Sequence, residues 1–118
     1  MFNFEKLDVW QKAIDFADLA YTHTRKFPDH ERFGLTNQMR RAAVSISSNI
    51  AEGTSRMSQT DFKRFVEIAT GSVFEVTSQA FVGRRQGFLT DEAFSSLYSS
   101  AEEVGRMRSG LRKSLSAK

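Results

Sequence analysis

The stretch RRAAVSISSNIAEG, residues 40–53, gathers side chains from which a site is made: guanidiniums at Arg40 and Arg41, hydroxyls in the SISS run, an amide at Asn49 and a carboxylate at Glu52. A second polar set follows at Ser72, Glu75 and Gln79, with i, i+3, i+7 spacing that puts them on one helix face beside Gly71. The chemistry such groups support is hydrogen bonding between helices or to a ligand. Asn49 borders an apolar stripe, and Glu52 falls near the negative end of a helix dipole, where an acid costs a few tenths of a kcal/mol unless it finds a partner. Buried amides and carboxylates need such partners. A polar network fixing helix register is therefore expected, with Arg40 or Arg41 able to neutralise an acid; a ligand site is the alternative.

Catalysis has little to work with. His23 and His30 are the only histidines, and neither has a second His at i+4 or a Glu-x-x-His neighbour of the di-iron type. His23 lies near the end of a helix, where a cation complements the dipole. No GxxxxGK[ST], GxGxxG or Gly-x-Ser-x-Gly pattern occurs. With no cysteine in the chain, disulfides, thiolate metal sites and cysteine nucleophiles are excluded. The expectation is a protein without enzymatic activity, cofactor or metal.

The elements that hold these residues read as four helices within a single domain spanning residues 1–118. The first covers about residues 7–26, with Val9, Ala13, Phe16, Ala17 and Ala20 on one face, and ends at FPDHERFG. The second covers about 35–52, its stripe running through Leu35, Met39, Ala42, Ala43, Ile46 and Ile50; Gly53 is placed as a left-handed C-terminal cap. Ser58 to Asp61 resembles a capping box at the start of the third helix, about 59–86, whose stripe is Phe62, Phe65, Ala69, Val73, Val76 and Ala80 and which stops at Gly87. Thr90 is the expected N-cap of the fourth, about 91–115, with Phe94, Leu97, Tyr98, Ala101, Val104, Leu111 and Leu115 in its stripe. Gly105 and Gly110 inside this helix suggest a close backbone approach. Short connections favour antiparallel neighbours, so the fold class is all-α, an antiparallel up-down-up-down four-helix bundle.

Some phenylalanines do not fit these seams. Phe74 and Phe81, seven residues apart, lie together on the third helix away from its core stripe. No helix is central in such a bundle, so a second apolar face predicts self-association through this side. No apolar run reaches the roughly 18 residues of a membrane span, and the first ten residues lack the order of a signal peptide. A cytoplasmic protein with no membrane contact is expected. The net charge of +3 permits nucleic-acid binding without requiring it. Beyond Glu103 only cations follow, Arg106, Arg108, Arg112, Lys113 and Lys118, which either complement a helix C-terminus or form a basic patch.

LDVWQKA near the start, FPDHERFGLTNQMRRAAVSISSNIAEG in the middle and FKRFVEIATGSVFEVTSQ in the third helix resemble the bacterial four-helix bundle proteins related to the 23S rRNA intervening-sequence protein. The likeness runs from Phe4 to about Leu111. The family usually has proline where this chain has Ser47, which predicts a less kinked second helix. The resemblance implies an antiparallel bundle assembling as a homopentamer around a central channel. Some members are encoded inside an insertion in the large ribosomal RNA gene. A related branch, the accessory variability determinant proteins of retroelements, binds nucleic acid and a reverse transcriptase. No catalytic residue carries over; the signature does, as Arg40, Arg41, Asn49, Glu52, Gly53, Gly71, Ser72, Glu75 and Gln79.

Two functions are then open. One is an oligomeric nucleic-acid-binding or scaffold protein contacting RNA or DNA phosphates through Arg25, Lys26, Arg40, Arg41, Arg56, Lys63, Arg64, Arg84 and Arg85. Repetition in a pentamer raises +3 to about +15, and little aromatic interleaving is expected on exposed positions, so base stacking is not indicated. The other is a protein-interaction module with no direct nucleic-acid contact, which an apolar patch outside the homo-oligomer contact would favour.

Overall fold

Four helices carry the chain: α1 (Asp8–Thr24), α2 (Leu35–Gly53), α3 (Gln59–Arg85) and α4 (Asp91–Ser116). The computed structural model describes residues 1–116, so Lys118 of the basic tail lies outside the described residues. Single 3-10 turns at Asn3–Lys6 and Asp29–Glu31, which periodicity did not predict, precede α1 and α2. The described residues contain no strand.

The helix starts follow local chemistry. Ser58 Oγ accepts from Asp61 N at 3.1 Å, and Thr90 Oγ1 accepts from Ala93 N at 3.1 Å, each satisfying a free amide of the first turn. α2 begins after Gly34 and has no such residue. Its first amide is taken instead by the preceding 3-10 turn, where Glu31 Oε1 accepts from Leu35 N at 3.0 Å.

Two glycine expectations are corrected. Gly53 is not a left-handed cap: it is the last residue of α2, followed by Thr54 at φ −68°, and Gly87 at φ 80° is the positive-φ glycine of the described chain. Gly53 is small for another reason. A Cβ there would lie 2.8 Å from Phe62 Cδ1 and 3.1 Å from Phe65 Cβ, so α3 crosses directly over its backbone. Gly105 and Gly110 show the reverse, with nothing within 4 Å of an added Cβ and hence no close approach. α2 is continuous through Ser47, which is buried and whose Oγ donates to Val44 O at 3.0 Å.

Contacts between helices run in opposite directions. Along α2 and α3, Gln38 meets Gln79, Ser45 meets Ser72, and Gly53 meets Phe62 and Phe65. Along α3 and α4, Phe81 meets Phe94, and Glu67 pairs with Arg112. Lys12 reaches Glu103 at 3.4 Å, while His23 shares a groove with Ala93, so α1 and α4 are antiparallel as well. α1 meets α2 at their adjoining ends, where Arg40 reaches Thr24. Each helix packs on its two neighbours, in the cyclic order α1, α2, α3, α4. The result is an up-down-up-down ring about a shared core, 46 Å long and 22 Å across.

The predicted stripes meet in this core: Val9, Ala13, Phe16 and Ala20 from α1, Met39, Ala43, Ile46 and Ile50 from α2, Ala69 and Val76 from α3, and Leu97, Ala101 and Val104 from α4. Phe16, Met39, Ile46 and Ile50 are at most 1% exposed, so each large side chain contributes about 1.5–3 kcal/mol by leaving water. Phe62, Phe65, Leu111 and Leu115 are only half-buried, because they lie where the seams open toward the bundle end, and Tyr98, expected in the α4 stripe, is exposed.

Candidate functional site

The polar signature lies along the seam between α2 and α3, centred on a residue that the sequence did not single out. Asn49 Nδ2 donates to Ser45 O at 2.8 Å and to Ser45 Oγ at 2.9 Å, and the Ser72 hydroxyl bonds Ser45 Oγ at 2.9 Å across the seam. Two turns along, Gln79 Nε2 donates to Glu75 Oε2 at 3.2 Å and to Gln38 Oε1 at 3.5 Å. The Ser72–Ser45 bond is the close link across the seam; the Gln79–Gln38 contact is long and exposed, and Gln79 Oε1 is buried without a partner. Gln38, Ser45 and Asn49 are spaced by seven and four, a helical row whose polarity was the readable signal. Glu52 is exposed at the end of α2, and Gly71 is exposed with nothing within 4 Å of an added Cβ, so neither joins the network.

The adjacent arginines have different surroundings. Arg40 is half-buried: its Nε donates to Thr24 Oγ1 at 2.9 Å and its guanidinium lies 4.6 Å from the Tyr21 ring centroid. Thr24 in turn donates to Ala20 O at 2.7 Å, so Arg40 is anchored to α1 through a hydroxyl and a ring and not through an acid. Arg41 points about 100° away. It is exposed and borders two grooves: one of about 380 Å³ between α2 and α3, the other of about 490 Å³ toward α1.

The remaining cations divide between opposite ends of the bundle. Arg25, Lys26, Arg84 and Arg85 lie where α1 and α3 finish; Arg56, Lys63 and Arg64 lie where α2 finishes and α3 starts. Several are engaged. The Arg84 guanidinium sits 4.0 Å from the Phe94 ring centroid, Arg56 sits 4.6 Å from that of Phe65, Arg64 is 4.0 Å from Asp61, and Lys63 is half-buried and partnered. Arg25, Lys26, Arg41 and Arg85 are exposed and form no ion pair among the described residues. In the basic stretch after Glu103, Arg112 pairs with Glu67, so that stretch is partly neutralised.

A third feature is apolar. Phe74 is 70% exposed and Phe81 is 43% exposed on the outer side of α3. Phe81 packs edge-on against Phe94 at 4.8 Å and against Tyr98 at 6.2 Å, forming an aromatic cluster over the α3–α4 seam. Phe74 flanks a groove of about 240 Å³ on the same seam, bounded by Val73, Thr77, Tyr98, Ala101 and Gly105. Large apolar residues are also exposed on the connections: Phe33 at 87%, with Arg32 5.6 Å from its ring centroid, and Met57 fully. The sequence reading missed this loop aromatic because exposure there follows from the 3-10 turn and not from helical period.

Neither histidine sits in a polar cluster that could bind a metal, and no group of three His, Asp or Glu side chains within the described residues could hold a metal ion. His23 has its pKa lowered below 6.5, chiefly by burial and then by Lys26. The folded state thus binds fewer protons at His23 than the unfolded chain does, and stability falls as pH drops through about 6.5. In His23→Gln, thermal melts at pH 7 and pH 5 should differ less than in the parent. No helix of the described chain is long and apolar enough to cross a membrane.

A family model described as 23S rRNA-intervening sequence protein matches residues 5–110. Among solved structures, this chain is similar to a Bacteroides thetaiotaomicron protein described as of unknown function and from the S23 ribosomal protein family. The TM-score is 0.79 at 23% identity, over 89% of this chain and 98% of that one. No curated protein matches the chain.

Proposed function

The chain belongs to the 23S rRNA-intervening sequence protein family, and from that membership we propose that it is a homo-oligomeric, non-enzymatic protein of the cytoplasm that binds or scaffolds nucleic acid. The observation that carries the reading is the set of predicted cations that are exposed without an acidic partner, Arg25, Lys26, Arg41 and Arg85. Unpaired guanidiniums on a rigid bundle suit phosphate contacts, which are salt-dependent and tolerant of sequence. The oligomer is read as a pentamer formed through the Phe74 side of α3, which would repeat this cation set around a ring. RNA is the first ligand to test, because the family description names a ribosomal RNA.

The test is a salt titration of binding to labelled RNA and duplex DNA. Binding at about 50 mM salt that weakens steeply as salt rises is expected; no binding to either would remove the reading. Arg85→Glu should weaken binding and lower the slope of log K against log salt by about one per lost contact. Arg85 is a cleaner choice than Arg84, whose guanidinium also covers the Phe94 ring. The second reading is a protein-interaction module without direct nucleic-acid contact. It is favoured by Phe33 and Met57, exposed on connections outside the α3 face.

A further inference from the structure

We propose that the α2–α3 groove at Arg41 is a base-reading pocket for an unpaired guanine nucleotide, with the Glu75 carboxylate on the base edge and the Arg41 guanidinium on the phosphate. The inference deepens the nucleic-acid reading above and rests on it, since phosphate contacts alone carry no sequence information.

The groove, about 380 Å³, is bordered by Asn37, Gln38, Arg41, Ser45, Ser72 and Glu75, and its size falls within the range of small-molecule sites. It holds one cation and one anion that do not pair. Arg41 has no hydrogen bond, ion pair or ring contact among the described residues, although Glu75 borders the same groove. Arg41 on α2 and Glu75 on α3 border the groove from its two sides, and both side chains are exposed.

The exposed Glu75 carboxylate has one side-chain neighbour: Gln79 Nε2 donates to its Oε2 at 3.2 Å. A carboxylate accepts two parallel donors through its two oxygens. Guanine offers such a pair, N1–H and the N2 amino group, on its Watson–Crick edge. Adenine and cytosine offer one exocyclic amine beside an acceptor, and uracil offers one N–H between two acceptors. Single-stranded RNA is the form that can present this edge, because a duplex hides it.

The contrast with the α3–α4 groove sharpens the assignment. That groove is bounded by Val73, Phe74, Tyr98 and Ala101, which suits an apolar partner surface. The α2–α3 groove instead offers amides, hydroxyls and both charges, which suit a hydrogen-bonded polar ligand.

The experiment measures binding of the assembled protein to a uridine strand of about 12 nucleotides carrying one central guanosine, inosine or adenosine. The order guanosine, inosine, adenosine is expected, with guanosine favoured over adenosine roughly 5- to 150-fold, the range of a bidentate base contact. Glu75→Gln should erase the preference while keeping the Gln79 contact, and Arg41→Ala should weaken all three strands alike. Calorimetry with guanosine monophosphate alone is run beside it. Equal binding of the three strands overturns the pocket and leaves general nucleic-acid binding standing. Mononucleotide binding that Glu75→Gln abolishes, with no strand or duplex bound, supports the pocket while removing the general reading. If neither mononucleotide nor strand binds, or if the two variants change only the oligomeric state, the pocket is overturned.

Discussion

Phe74→Asp is expected to sediment as a 13.4 kDa monomer with its helical circular dichroism intact. The ring is 70% exposed, so the isolated bundle gains little from it and its loss leaves the core untouched. In an assembly the same ring would be covered. Burying a phenylalanine contributes about 1.5–3 kcal/mol, and every copy in a ring repeats the contact. An aspartate at that place removes this term and adds an unpaired charge to an interface, the costlier change of the two. Phe81 is a less clean probe, because its ring also packs on Phe94 and Tyr98 within the subunit. If the parent protein is itself monomeric at micromolar concentration, or if Phe74→Asp still assembles, self-association through this face is wrong.

Gly53→Ala should destabilise the bundle by about 1–3 kcal/mol, although alanine is the better helix former by about 1 kcal/mol. The added methyl meets Phe62 Cδ1 at 2.8 Å and Phe65 Cβ at 3.1 Å. Phe65 Cβ is fixed to the α3 backbone and cannot rotate away, so the helices must separate where they cross. Gly105→Ala is the matched control. Nothing lies within 4 Å of its added methyl, so propensity alone acts and the melting temperature should rise. Chemical denaturation of both variants checks the pair; equal, stabilising effects would mean that Gly53 is not a packing glycine.

The helices were legible because their apolar spacing and end signals agree. Ser58 and Thr90 cap as their types predict, and Phe16, Ile46 and Val76 fall into one core. Gly53 was misread because a glycine at a helix end looks the same in sequence whether it turns the chain or admits a neighbouring helix. Only the position of α3 decides between them. The site was legible in part for the same reason. Ser72, Glu75 and Gln79 share a face by spacing alone, but their partners Ser45 and Gln38 come from another helix, and periodicity within one helix is silent about facing pairs. Arg40 and Arg41 are neighbours in sequence with different environments. That a threonine hydroxyl and a tyrosine ring, and not an acid, anchor Arg40 required the packing of α1 on α2.

Val104 is the last buried residue of α4, yet the helix continues to Ser116. In the final three turns Met107 and Leu111 pack half-buried against the core, and Arg112 pairs with Glu67. They also contain two glycines, each about 1 kcal/mol poorer than alanine in a helix. Opening this segment uncovers only these half-buried contacts, so its free energy of opening lies below that of the whole bundle. Amide hydrogen exchange beyond Gly105 therefore reports fraying of one helix, whereas exchange at Ile46 or Val76 reports global unfolding. The bundle thus has two stabilities, a cooperative one for its centre and a smaller one for its basic end.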